Sequence, residues 1–138
     1  MNHETIRRTL AQRAGGDADA NAVAKAAIST WHEASARLSP VIGGQGIDVL
    51  LRRSLHVAGK TFPALPEPTH EARNNVLLAN LQMRLAACET ALAVEASNAL
   101  LVTFTELMSS LIGESLTEHL LAPIWAPSLP ASDQKGAP

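Results

Sequence analysis

The sequence predicts an all-α fold, a single-domain bundle of five or six helices, and three observations predict it. Residues 69 to 112 contain neither Pro nor Gly, which cost about 3 and about 1 kcal/mol respectively in a helix interior. Both residue types are grouped on either side of that stretch. The apolar residues recur with the helical period of 3.6 residues.

The apolar residues are mostly small, since Ala, Leu and Val dominate and the chain has two Phe, two Trp and no Tyr. A core of small side chains requires helices that approach closely or share apolar faces with a second copy. Ala93, Ala96 and Ser97 would permit such an approach. We therefore expect a homodimer.

The chain divides into three segments. Residues 1 to 16 are expected to form an N-terminal helix or arm, residues 17 to 125 the helical bundle, and residues 126 to 138 a disordered tail. The tail is assigned on its Pro content and its few apolar residues.

The first helix is expected from Glu4 to Ala14, ahead of Gly15, a residue type that favours a helix C-terminus. Its apolar stripe, which includes Ile6 and Leu10, is narrow. Such a stripe predicts either an arm that packs on another chain or a frayed helix.

The second helix is expected to begin at Asp17 or Asp19, either of which can cap it. It should end at Leu38, because Pro40 disfavours a helical conformation in the residue before it. Trp31 lies at the centre of its apolar face and is predicted to be buried.

The third helix is expected over residues 47 to 59, after a short turn that starts at Pro40 and is broken by three glycines. One arc of this helix is apolar. The opposite arc is polar and carries Asp48, Arg52, Arg53, His56 and Lys60. The Pro-rich connection over residues 61 to 68 is expected to be extended.

The fourth helix should start near Thr69, and a break is expected between residues 87 and 91, because 44 continuous helical residues would be unusual in a compact domain. The fifth helix, over about residues 90 to 112, is apolar around most of its circumference. It is predicted to be the central helix, with Phe104 in the core, and to end at Gly113.

A last short helix is expected ahead of Trp125. Ser115 followed by Glu118 matches the capping box, in which each side chain bonds to the backbone of the other residue.

Composition also predicts the cellular compartment of the protein and whether it spans a membrane. Cys88 is the only cysteine and the N-terminus is polar, so we expect a cytoplasmic protein without disulfides or a signal peptide. Charged and polar residues interrupt the longest apolar windows, which argues against a membrane span.

Charge is distributed unevenly. Residues 1 to 84 carry ten Lys and Arg against seven acids, whereas residues 85 to 138 carry one Lys against six acids. The two halves can attract each other, within one chain or between chains. The acidic overall balance disfavours a general nucleic-acid binder.

The sharpest chemical candidate is His56. Arg52, His56 and Lys60 are successive i, i+4 neighbours on a helix, with Arg53 beside them, and this basic row could hold an anion such as phosphate. The string from His56 to Lys60 resembles the histidine phosphotransfer (HPt) motif, with the Lys and Gly in exchanged order. The resemblance implies a small helical bundle that relays phosphoryl groups between response regulators through His56. A solvated polar face is the simpler interpretation of the same residues.

The same region also fits a helix-turn-helix, in which the turn after Pro40 leads into a helix that enters a DNA groove. Arg52, Arg53 and Lys60 would contact the DNA. Base-reading Asn and Gln side chains are missing from that helix, which disfavours this interpretation.

No metal site or cofactor is expected. The adjacent pairs His32–Glu33 and Glu118–His119 point about 100° apart on a helix, so neither pair converges on an ion. Cys88 is predicted to be an inert buried thiol on the apolar face of its helix.

No catalytic constellation is recognisable, so we do not expect an enzyme. The leading hypothesis is a non-catalytic interaction or regulatory module that binds a partner protein or a second copy through helix contacts. Phosphotransfer through His56 and DNA binding through the Arg52, Arg53 and Lys60 face are the alternatives.

Overall fold

A computed structural model describes residues 3–15, 19–66 and 73–125. Within these ranges the chain is all-helical and contains no strand. The five helices are α1 (His3–Ala14), α2 (Ala20–Gly59), α3 (Asn74–Ala86), α4 (Thr90–Ile112) and α5 (Glu114–Leu121). The predicted all-α class is confirmed. The homodimer stays a prediction, and so does the disordered tail, which lies outside the described residues.

Like α2, α4 packs against each of the other four helices, so these two helices share the centre of the bundle. α4 spans the residues that the sequence predicted, and Gly113 ends it with a φ of 96°. Phe104 is 1% exposed and Trp31 is 5% exposed, so both predicted core positions are confirmed.

α4 is also long and apolar enough, by length and composition, to cross a membrane, contrary to the expectation that no window would qualify. A core helix passes the same test. In this fold, 56% of the most apolar window is buried by the rest of the chain.

α1 packs on α2 and α4 of its own chain, which cover its apolar stripe. Ile6 and Leu10 are almost completely buried. Two ion pairs hold its outer side, Arg7 with Glu95 of α4 and Arg13 with Glu33 of α2. The sequence could not decide this because the narrow stripe on α1 does not indicate which helix covers it.

α2 begins as predicted, with the Asp19 carboxylate accepting a hydrogen bond from the Ala22 backbone N–H at 2.9 Å. The predicted end at Leu38 is wrong. The helix continues through Pro40, and within it only Gly43 departs from helical geometry, with φ 81° and ψ 161°. α2 therefore consists of two helical segments that meet at Gly43, so the predicted division at the glycines is confirmed, although the first segment ends later than Leu38. Apolar side chains on both sides of the kink are buried in the same core, and this burial offsets the disfavoured Pro.

The connection after α2 is folded back rather than extended over its described part, since the Leu65 N–H donates to the Phe62 carbonyl at 3.0 Å. α3 begins at Asn74, later than predicted, and Thr69 lies outside the described residues. The predicted break before α4 is confirmed, because α3 ends at Ala86.

Small residues on α4 are already covered within the chain. Ala93, Ala96 and Ser97 are completely buried, and Ala93 packs with Ala20 and Val23 of α2. The close helix approach that these residues permit is therefore made inside one copy.

The predicted capping box is wrong. Ser115 lies inside α5, whose N-cap is Gly113, and no side chain caps this helix. The Thr117 hydroxyl donates instead to the Gly113 carbonyl at 2.8 Å. Arg37 of α2 donates to the Leu120 carbonyl and joins α5 to the bundle.

Candidate functional site

The basic face consists of Arg52, Arg53, His56 and Lys60, on the second half of α2. Arg53, His56 and Lys60 are exposed, as predicted, whereas Arg52 is half-buried. The three residues Arg52, His56 and Lys60 form one row because they are four residues apart.

The inner side of the same helix segment fixes the orientation of this face. Its apolar and small side chains are buried in the core, namely Leu50, Leu51, Ser54, Leu55 and Ala58. The Ser54 hydroxyl donates to the Leu50 carbonyl at 2.7 Å, so it is satisfied within the helix. The basic face cannot rotate inward without exposing this buried surface.

The C-terminal turn of α2 favours cations at this place. His56 lies in the last turn and Lys60 is the C-cap residue. Carbonyl groups at a helix C-terminus carry partial negative charge, which attracts positively charged side chains.

The basic face is not purely polar. Val49 is 64% exposed and lies one turn before Arg53, and Val57 is 36% exposed beside His56. Asp48 precedes Arg52 by one turn on the same row. The surface therefore offers cationic groups around an apolar patch, with one carboxylate at its edge.

The turn that a helix-turn-helix needs is not formed within α2. Such motifs join two helices through three or four turn residues, whereas only Gly43 is non-helical inside α2. The basic residues lie on the helical segment after this kink, and Trp31 lies on the segment before it.

The other candidate groups do not converge. Among the described residues, no set of three His, Cys, Asp or Glu side chains is arranged to hold a metal ion. The His32 ring lies edge-on to the Trp31 ring, with the two ring centroids 5.4 Å apart. Glu33 forms an ion pair with Arg13. Hydrogen bonding from Arg13 lowers the pKa of Glu33.

Cys88 differs from its prediction. It lies in the turn between α3 and α4 and is half-buried, with its thiol donating to the Arg84 carbonyl at 3.2 Å. The prediction failed because helix periodicity was applied beyond the point where α3 ends.

Sequence reasoning did not anticipate a cavity between α1 and α4 with Asn98 among its lining residues. Arg7 and Glu95 form a two-pronged ion pair at this cavity. Hydrogen bonding from Arg7 lowers the pKa of Glu95, and the same bond raises the pKa of Arg7. An Asn in the middle of an apolar helix was the available signal, and the uneven charge distribution was the signal for the pair.

Comparison of the chain with protein-family models, with curated proteins and with solved structures found no match. The inference of function therefore depends on the residues and their arrangement.

Proposed function

We propose that this protein is a non-catalytic interaction module, and that its basic face binds an acidic helix of a partner protein. The observation that carries the proposal is the exposure of Arg53, His56 and Lys60 on one side of a helix whose opposite side is buried. A partner surface rich in carboxylates would complement this charge.

The apolar patch within the basic face specifies the partner further. Val49 is the second most exposed of the large apolar side chains among the described residues, and cations lie around it. A partner helix that carries Leu or Ile on one stripe, flanked by Glu or Asp, would cover Val49 and pair with Arg53 and Lys60. Burial of the apolar patch supplies affinity, and the charges supply orientation and encounter rate.

The test uses a labelled amphipathic peptide built from Glu and Leu at helical spacing, with fluorescence anisotropy as the readout. The double variant Arg53→Gln, Lys60→Gln should bind about tenfold more weakly than the wild type, which corresponds to about 1.4 kcal/mol. The matched control is Lys25→Gln, Arg73→Gln, which removes two exposed cations that are not part of the basic face. The affinity of the wild type should fall as salt rises.

Equal loss of affinity in the two double variants would contradict the proposal, because net charge alone would then explain binding. So would equal binding of a peptide with Gln in place of Glu. A labelled DNA duplex forms a second arm of the experiment. Steep, salt-dependent binding of the duplex that requires Arg53 and Lys60 would favour the DNA-binding alternative.

A second candidate function is phosphotransfer, and the observation that favours it is the exposure of His56 on a helix with Arg52 and Lys60 one turn away on either side. In this reaction an imidazole nitrogen would attack the phosphorus of an aspartyl phosphate on a response regulator. A P–N bond forms as the P–O bond to the departing carboxylate breaks, and the cations offset the charge of the phosphoryl oxygens.

Incubation with a phosphorylated response regulator tests this candidate. The wild type and His32→Gln should take up label, because His32 is an exposed imidazole outside the basic face, while His56→Gln should not. Absence of label on the wild type would end the phosphotransfer hypothesis.

A further inference from the structure

A cavity of about 320 Å³ lies where α1, α4 and the segment after α2 meet. Asn98 of α4 contributes to its wall although only 4% of the residue is exposed. Its side-chain oxygen Oδ1 is buried and has no hydrogen-bond partner. An amide in this position carries a full desolvation cost that a hydrogen bond would offset.

Most other buried polar side chains of the described helices make a hydrogen bond within their own helix. The hydroxyls of Thr30, Ser54 and Thr105 each donate to the carbonyl four residues earlier, at 2.7 to 2.8 Å. The Asn98 amide makes no such bond, and it lies at a cavity rather than in the packed core. Its oxygen has no donor within the chain and is less than 1 Å² accessible, so a donor in the cavity reaches it only when the amide side chain turns toward the cavity.

The charges around the cavity do not balance. The Arg7 guanidinium is neutralised by the Glu95 carboxylate, which it contacts through both of its terminal nitrogens. Glu106 adds a further carboxylate to the lining and is exposed. The lining thus carries a net charge of about −1 at neutral pH, since only these three ionisable residues contribute.

Helix geometry spaces the polar groups apart. Asn98, Val102 and Glu106 follow one another at i, i+4 and i+8 on α4, so they form a row about 12 Å long, from a rise of about 1.5 Å per residue. Val102, 8% exposed, separates the two polar ends, and Phe62 faces the same cavity. The row therefore has an acceptor at one end, an apolar middle and a carboxylate at the other end.

We propose that this cavity binds an elongated organic amine. Its ammonium group would pair with the Glu106 carboxylate, its apolar middle would lie on Val102 and Phe62, and a hydroxyl or amide N–H at the far end would donate to Asn98 Oδ1. A monocation neutralises the excess charge of the lining, and one molecule satisfies both the carboxylate and the buried amide.

The probe is 6-amino-1-hexanol, a linear monocation with a hydroxyl donor at the opposite end from the ammonium. Two analogues isolate its parts, since 1,6-hexanediol lacks the charge and hexylamine lacks the terminal hydroxyl. Binding is followed by NMR, through the side-chain amide resonances of Asn98, which are identified by their disappearance in Asn98→Leu.

The expected result is saturable movement of the Asn98 resonances with 6-amino-1-hexanol and no saturable movement with the diol. Glu106→Gln should weaken binding at least tenfold, whereas Glu89→Gln, at the opposite end of α4, should leave it unchanged. In Asn98→Leu, hexylamine should bind as tightly as the amino alcohol, because the hydroxyl has lost its acceptor.

The proposal is overturned if the diol binds as well as the amino alcohol, if Glu106→Gln binds normally, or if tens of millimolar amino alcohol leave the Asn98 resonances unmoved. Should Asn98→Leu fail to fold, the Glu106→Gln comparison decides alone, with binding measured by isothermal titration calorimetry, because Glu106 is exposed and its replacement leaves the core intact. None of these outcomes bears on the basic face, which uses different residues.

Discussion

Replacement of Gly43 by Ala is expected to destabilise the protein, because the kink in α2 depends on a backbone conformation that only Gly adopts readily. Gly43 has φ 81° and ψ 161°, in a region that costs an L-residue about 1 to 3 kcal/mol. A Cβ atom built on Gly43 meets no heavy atom within 4 Å. The cost is therefore one of backbone strain rather than of steric contact.

The neighbouring Gly44 is a matched control. It is helical, and a Cβ atom there also meets nothing within 4 Å. Gly44→Ala should stabilise the protein by about 0.5 to 1 kcal/mol, because Ala loses less backbone entropy than Gly in a helix. The two single-methyl substitutions, at adjacent positions, should thus have opposite signs.

Urea denaturation followed by far-ultraviolet circular dichroism measures both effects as changes in the free energy of unfolding. A difference of about 1.5 to 4 kcal/mol between the two variants is expected. A Gly43→Ala protein as stable as the wild type would refute the reasoning, because Gly43 would then have a helical alternative and α2 would not need its kink.

Three further outcomes are expected. Phe104→Ala should lower the free energy of unfolding by about 3 to 5 kcal/mol in urea denaturation, because a fully buried ring leaves a cavity in the centre of the bundle; a loss below about 1 kcal/mol would contradict the central place of α4. Asp19→Ala should cost about 1 kcal/mol by the same measurement, since the cap on α2 is lost, whereas Asp19→Asn should cost little. The stability advantage of the wild type over Glu95→Gln should be present above pH 4.5, the ordinary pKa of Glu95, and should be lost as pH falls through the lowered pKa of the folded state. An advantage that persists in acid, or that is insensitive to salt at neutral pH, would show that the pair with Arg7 is not its source.

Sequence reasoning succeeded where local propensity and tertiary packing favour the same structure. The bounds of α4 followed from the absence of Pro and Gly and from a terminal glycine. The outward position of His56 and the inward position of Trp31 followed from helical periodicity. These features depend on residues within a few turns of one another, so the linear chain contains the information that decides them.

Sequence reasoning failed where packing between distant parts of the chain outweighs the local backbone preference. Pro40 predicted a helix end at Leu38, but the burial of apolar side chains on both sides of it keeps the backbone helical through Pro40, and the helix is interrupted at Gly43 instead. The capping box of Ser115 and Glu118 is a local pattern that does not form, because α5 starts directly after Gly113 and includes Ser115.

The amino-acid sequence by itself determined that the described part of this protein is all-helical, which helix is most apolar, and which side of α2 carries the cations. Only the tertiary structure decided that α1 packs on its own chain, that Arg7 meets Glu95, and that the Asn98 amide lies at a cavity without a partner. The physical reason is one of range. Backbone preference and amphipathic period act over a few residues, whereas an ion pair between residues 7 and 95, or a cavity between two helices, exists only once the helices have packed.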